Sequence, residues 1–389
     1  MKSMFKVTVI LTLCFAIIIG CSSKPAPADS NKESKGNQAS EQKQQSITFI
    51  DTAGGANTQK FFSDIIPKAS SELGIKINYV TGAGAEIQQR LAAQKQGEGD
   101  IDVLLLKPDG IGNMIQAGIP FETLENNPEI PNISLVAAGE LKEALGVATN
   151  GTAVPFWHDQ FGILYNSDKI KNPPKSWEEF YERRNEWAGH IGMIRPDAKS
   201  GGGRIMQRDF LLGYGVDFSK SFEEVQKTTE WTNGLAKIGD FSKALFKPLA
   251  SEPPVLFQQF ASEDVWITEY AIDYTLWSRD QGLLPESVKS TFFPSGHYGG
   301  AAYLAIPSSI SDSQKELASR FVNWMLSEKT QINMMETLWI YMGIDKYDNV
   351  PQTVWNNVPS WDVVKNSRIP LNNNDAYTFL KEKGMDLVK

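Results

Sequence analysis

Asp100-Ile101-Asp102-Val103-Leu104-Leu105-Leu106, followed by Lys107-Pro108-Asp109-Gly110, is the stretch that decides the architecture. A short, unbroken apolar run is the pattern of a strand covered on both faces, as in a parallel sheet. The Lys-Pro-Asp-Gly turn then carries the chain into a helix. The same order of events occurs twice upstream. Ile47-Thr48-Phe49-Ile50 is an apolar run ending in Asp51-Thr52-Ala53-Gly54-Gly55, after which Phe61, Phe62, Ile65 and Ile66 fall at helical spacing. Gly74-Ile75-Lys76-Ile77-Asn78-Tyr79-Val80 gives a second strand, and Thr81-Gly82-Ala83-Gly84-Ala85 leads into a helix from about Glu86 to Lys95. Strand and helix in alternation predict an open α/β domain. Such sheets bind ligands beyond the carboxyl ends of their strands. The turns 51–55, 81–85 and 107–110 therefore matter, and Ala53, Gly54, Gly55, Lys107 and Asp109 are candidate ligand contacts.

The chain has 389 residues and a hydrophobic share of 41%, which is ordinary for a packed globule. Its beginning reads differently. Lys2 and Lys6 precede an apolar run from Val7 to Ile19, the pattern of a secretory signal. The run is too short to span a bilayer, which takes roughly 20 apolar residues. Ser22 to Gln45 is polar throughout and predicts a disordered tether. The roughly 340 residues beyond it suit two domains. Cys14, inside the signal, and Cys21 are the two cysteines. The folded part is thus expected to hold no disulfide and no cysteine metal site, although it is exported. With 38 basic and 46 acidic residues the net charge is −8, which disfavours nucleic acid as a partner.

Ile18-Ile19-Gly20-Cys21 resembles the end of a bacterial lipoprotein signal. That resemblance implies a signal over 1–20, a cut before Cys21, acyl chains on that residue as a lipid anchor, and a tether over 21–46. The protein would then be extracytoplasmic, held to the cell membrane, or periplasmic in a source with two membranes. The rest of the chain resembles the family 1 extracellular solute-binding proteins, the capture subunits of bacterial ABC importers. The resemblance is carried by Gly74–Val80, Glu86-Ile87-Gln88-Gln89-Arg90-Leu91-Ala92-Ala93-Gln94, Asp100–Leu106 and Gln116-Ala117-Gly118-Ile119-Pro120-Phe121-Glu122-Thr123-Leu124. It continues through Ala153-Val154-Pro155, Phe161–Asn166, Pro173–Phe180, Gly300–Pro307 and Ala318–Ser327, in family order.

The resemblance implies a two-lobed periplasmic-binding-protein type II fold with a cleft between the lobes. Lobe one would hold 47–153 plus 295–338 and lobe two 154–294 plus 339–389. Hinge strands would cross near Val154–Asp159, Thr291–Ser295 and Trp339–Gly343. It also implies a monomer without a cofactor that delivers a small solute (a sugar, polyamine, zwitterion or phosphorylated compound) to an ABC permease. Two alternatives share the fold: a surface receptor that signals to a sensor, and a lipoprotein hydrolase. Iron-binding relatives use an adjacent tyrosine pair, and the chain has none.

The sequence lacks His-Glu-x-x-His, Gly-x-Ser-x-Gly and the phosphate-loop lysine motif. Its three histidines are far apart and have no metal-ligand spacing. The reading is therefore a binding protein with no metal and no catalytic residue. A binding site needs only a cleft, apolar or aromatic walls and a few fixed polar groups. Trp157-His158-Asp159 lies at the implied first crossing. The Trp face suits a sugar ring or a cation, with hinge packing as its other use, and Asp159 suits an amine or hydroxyls. Ser200-Gly201-Gly202-Gly203-Arg204 opens a helix, where free N–H groups and the helix dipole favour an anion and Arg204 adds a fork for carboxylate or phosphate. Its other use is a plain loop. Trp266, Glu269, Tyr270 and Asp273 sit where a strand runs into a helix and resemble an amine pocket, with core aromatics and exposed acids as the alternative. Tyr298 follows the return crossing and would close the pocket from lobe one.

Overall fold

The computed structural model of the protein describes residues 45–389 apart from 145, 146 and 370–373. The expected signal, Cys21 and the tether up to residue 44 lie outside the described residues. The first strand, β1 (Ser46–Asp51), starts at the last residue expected for that tether. It pairs in parallel with both β2 (Lys76–Thr81) and β3 (Val103–Leu106). α1 (Ala56–Leu73) and α2 (Gly84–Ala93) make the connections, and α3 (Pro108–Gln116) leaves β3. α1 buries Phe61, Phe62, Ile65 and Ile66 on one face, the stripe that helical spacing requires. Gly74 ends it in the left-handed conformation, φ 69°. All four side chains of β3 are buried. Val103 and Leu105 join one apolar cluster with Phe49, Phe62 and Phe321, and Leu104 and Leu106 join another with Ile87 and Ile111. Cover on both faces is what the unbroken apolar run predicts.

A short antiparallel pair, β4 (Glu143–Ala144) with β5 (Val147–Ala148), leads to β6 (Ala153–Asn166), the element that organises the rest. The chain continues through α4 (Trp177–Glu182), capped by Ser176, and α5 (Gly202–Gly213) to β7 (Ile267–Ala271), β8 (Val288–Thr291) and β9 (His297–Ala305). The first part of β6, from Ala153 to Gln160, pairs antiparallel with β9, which pairs in turn with β3. From Phe161 onward β6 pairs with β7 and β8 instead. One strand thus leaves the first sheet and becomes the centre of a second one, and the chain returns to the first between Thr291 and His297.

Beyond the helix Glu328–Leu338, β10 (Tyr341–Met342) completes the edge of the first sheet against Trp157 and His158. β11 (Arg368–Ile369) pairs with His297 and Tyr298. The helix Asn374–Leu387 packs on α5, with Ala376 and Leu380 in the second core beside Trp177, Phe180, Phe210 and Phe293. The tail 339–389, expected in lobe two, begins beside the crossing strand β6 and ends in the helix on α5. Its start buries Tyr341, Met342 and Ile344 in the first cluster and only its last helix joins the second.

Candidate functional site

Where β6 changes partners, a cleft of about 520 Å³ opens between the two sheets. Gly55, Asn57, Lys107, Pro108 and Asp109 line it from the starts of α1 and α3. Asp159, Phe161 and Tyr298 line it from the crossing strands, and Ser200, Arg204, Tyr270, Asp273, Tyr274 and Tyr377 from the other side. The N-termini of four helices meet here: α1, α3, α5 and the helix Ile272–Asp280. A helix start leaves amide donors without intrahelical partners and carries the positive end of the dipole.

Opposed charges are fixed inside. The ammonium of Lys107 forms an ion pair and hydrogen bond with Asp159 and stands 5.9 Å from the centre of the Trp157 ring. Burial works to lower the pKa of Lys107, but Asp159, Tyr298 and Asp273 outweigh it and raise it. Asp273 is pushed up to about 7 by burial and then by the charge of Asp159, with Lys107 pulling the other way. Its Oδ2 accepts a long hydrogen bond, 3.5 Å, from Asn57 of α1. Its Oδ1 is buried with no hydrogen-bond partner. Across the cleft, Arg204 donates to the carbonyls of Pro196 and Ala198 at 3.0 and 2.6 Å and lies 4.7 Å from the centre of the Tyr377 ring. Its Nε is buried and unpaired.

Nine of the expected contacts thus line the cleft: Gly55, Lys107, Asp109, Asp159, Ser200, Arg204, Tyr270, Asp273 and Tyr298. The others sit elsewhere, for local reasons. Ala53 and Gly54 turn their N–H groups inward to Asp51 Oδ1, at 2.9 and 2.7 Å. Trp157 is 1% exposed and packs on Phe62 and Phe156, beneath the Lys107–Asp159 pair. His158 points to the opposite face of β6 and stacks on Trp361 at 5.1 Å. Strand alternation explains Glu269 in the same way. Tyr270 faces the cleft, whereas Glu269 faces the second core and hydrogen-bonds His297. Trp266 lies four residues before Tyr270, about 13 Å along the strand, and stacks on His190. Gly201 and Gly202 serve close packing. Gly201 has φ 79°, a Cβ there would meet the Tyr377 hydroxyl at 2.4 Å, and one on Gly202 would meet the Tyr270 ring at 3.0 Å. The turn 81–85 contributes nothing to the lining, because β2 is the edge strand of its sheet.

Asn57, Phe161, Lys199, Tyr274 and Tyr377 line the cleft without having been singled out from the sequence. Asn57 and Tyr274 follow within two residues of turns that were, so a helix start after each turn was the available signal. Tyr377 arrives on a distant helix, and nothing local announces it.

Directly behind the cleft wall, Asp209, Glu269 and His297 bring ligand-type atoms within 4.8 Å of one another. Both imidazole nitrogens are in use. Nε2 accepts from the Phe293 N–H at 3.0 Å, which places the proton on Nδ1, 2.5 Å from Glu269 Oε1. Asp209 accepts from Arg208 at 2.9 Å and from the Tyr298 N–H at 2.6 Å. With no imidazole lone pair free, the arrangement is a hydrogen-bonded network that ties α5, β7 and β9 together rather than a metal centre.

Residues 66–357 match the family model described as bacterial extracellular solute-binding protein. The thiamine-binding periplasmic protein of Salmonella typhimurium is 25% identical over 209 residues, 54% of this chain and 57% of that protein. The match therefore spans little more than half of that relative. A candidate 2-aminoethylphosphonate-binding periplasmic protein of Salmonella paratyphi A is 22% identical over 68% of this chain and 69% of its own length. Among solved structures, the spermidine/putrescine ABC transporter substrate-binding protein of Streptococcus pneumoniae superposes with a TM-score of 0.69 at 13% identity, covering 89% of this chain and all of that one. At that identity the likeness is one of fold, and the fold is the two-lobed α/β one expected from the sequence.

Proposed function

The chain belongs to the bacterial extracellular solute-binding proteins, and on that premise we propose that it captures a small charged organic solute in the cleft at Lys107, Asp159, Arg204 and Asp273 and hands it to the permease of an ABC importer. The observation that carries this reading is a cleft of about 520 Å³ where β6 passes between the sheets, furnished from both sides with buried polar atoms that lack partners. That volume suits a small organic molecule. The two lobes, 47–153 plus 295–338 and 154–294 plus 339–389, close over the solute by rotation about Gln160–Phe161 and the return at 291–297. Solute favours the closed form only by as much as it binds that form better. The reading is capture rather than turnover, in keeping with the binding-protein family whose model the chain matches.

The protein acts as a monomer held outside the cytoplasm by acyl chains on Cys21. Among the described residues no helix is long and apolar enough to cross a membrane. Metabolic labelling with radioactive palmitate is expected to mark the chain, and Cys21→Ala to abolish the label. Label retained in the variant would rule out the anchor.

Capture itself is tested by denaturing the purified full chain, identifying released small molecules by mass spectrometry, and screening thermal stability against sugars, sugar phosphates, polyamines, amino acids, thiamine and phosphonates. A true solute at 100 times its dissociation constant adds about 2.7 kcal/mol of stability. No released molecule and no shift across the panel would overturn solute capture in this cleft.

A further inference from the structure

Two buried groups of opposite character are left unsatisfied in the same cleft. Asp273 is 8% exposed and its Oδ1 has no hydrogen-bond partner. Arg204 is 7% exposed and its Nε has none. Buried polar atoms are ordinarily paired, and exceptions call for an occupant. An acceptor without a donor calls for a donor-bearing group, and a cationic N–H without an acceptor calls for an anion.

The other charges sharpen the division. Lys107 already neutralises Asp159, so Asp273, together with Asp109 at the start of α3, is open to a solute cation. Phe161, Tyr270 and Tyr274 line the cleft beside it, and aromatic faces attract a cation. At the far side, the carboxylate of Glu252 takes the N–H groups of Lys199 and Ser200 at 2.9 and 3.2 Å. That leaves Arg204, the Lys199 side chain and the first turn of the 12-residue α5, whose dipole adds to the attraction for an anion.

We propose that the solute is a zwitterion, with an ammonium or other cationic nitrogen against Asp273 and a carboxylate, phosphate or phosphonate against Arg204 at the start of α5. This rests on the solute-binding reading of the cleft and narrows it. A solute with one charge would pair one pole and leave the other buried and unsatisfied when the lobes close, and that costs affinity. A neutral sugar would leave both poles without a counter-charge.

The test is calorimetric titration of the full chain with two zwitterions, 4-aminobutyrate and 2-aminoethylphosphonate, and with their single-charge halves butyrate, ethylphosphonate and propylamine, plus putrescine and maltose. At least one zwitterion is expected to bind about tenfold or more tightly than each of its halves and than putrescine. Asp273→Asn is expected to remove that advantage while leaving the weak binding of the acid-only half unchanged, and Lys199→Ala to weaken acid-only and zwitterionic solutes alike. The analogue series uses the unaltered chain, so it decides the matter even if Asp273→Asn folds poorly. A half, putrescine or maltose binding as tightly as the zwitterions would overturn the class and leave solute capture standing. Silence toward both zwitterions would also overturn it, and silence joined to an absence of extractable solute would take solute capture down as well.

Discussion

Trp157→Ala is expected to lower the stability of the folded protein by about 3–5 kcal/mol, the range for removing a large aromatic from a packed core. The ring is 1% exposed, with Phe156 at 5.4 Å and Phe62 at 6.3 Å between centroids. Lys107 and Asp159 close over it and shut it off from solvent. Truncation would leave a void that the β6–β9 pairing on one side and β10 on the other cannot readily fill by collapse. Equilibrium unfolding in urea measures the effect as a drop in midpoint at unchanged slope. A variant within about 0.5 kcal/mol of the parent, yet unable to bind solute, would put the ring in the cleft instead.

Trp157 also shows where the sequence stops being informative. Its position at the crossing is legible, because the order of strands and turns around it is. The depth of its burial is not, since it depends on a lysine 50 positions earlier laying its ammonium over the ring. The same division runs through the site. Lys107, Asp109 and Gly55 follow from the rule that open sheets bind at strand carboxyl ends. Ser200 and Arg204 follow from a glycine-rich helix start. Glu269 and Trp266 fail on strand parity and strand length, which a local reading leaves open when both faces of the strand are covered. Tyr377 fails because the final helix returns to α5 from far along the chain, a tertiary choice with no local signature. The apolar run 100–106 was readable for the opposite reason: two-sided burial is written in the run itself.

The second large effect is expected behind the cleft, where His297→Ala should cost about 2–6 kcal/mol, since a buried hydrogen-bonding group left unpaired costs about 1–3 kcal/mol and deleting the ring strands two. His297 and Glu269 are both fully shielded. Deleting the ring removes the donor to Glu269 and the acceptor of the Phe293 N–H together. It also loosens the first residues of β9, where Tyr298 enters the cleft. The network makes a pH prediction of definite sign. Burial pushes Glu269 up to about 8 and raises Asp209 well above the usual carboxylate range, with repulsion from Glu269 adding to it. Glu269 keeps a proton in the folded state that the unfolded chain has given up, and Asp209 is shifted in the same direction. The stability that Glu269 confers is complete below about pH 4 and is lost as the pH climbs toward 8. His297 acts in the other direction, because burial holds it down to about 4 and its contribution disappears only as the pH falls from 6.5 to 4. Above pH 6.5 the buried carboxyls act alone, with Asp273 of the cleft, pushed up to about 7, adding to Glu269. The solute-free protein is therefore expected to lose stability between pH 6.5 and 8.0, by up to about 1.4 kcal/mol per pH unit for each retained proton. Glu269→Gln, which keeps the shape and removes the titration, should flatten the slope at far smaller cost than His297→Ala. Calorimetric melting at the two pH values decides it, and a stability that rises over this interval would mean that the buried carboxyls are already ionised at pH 6.5.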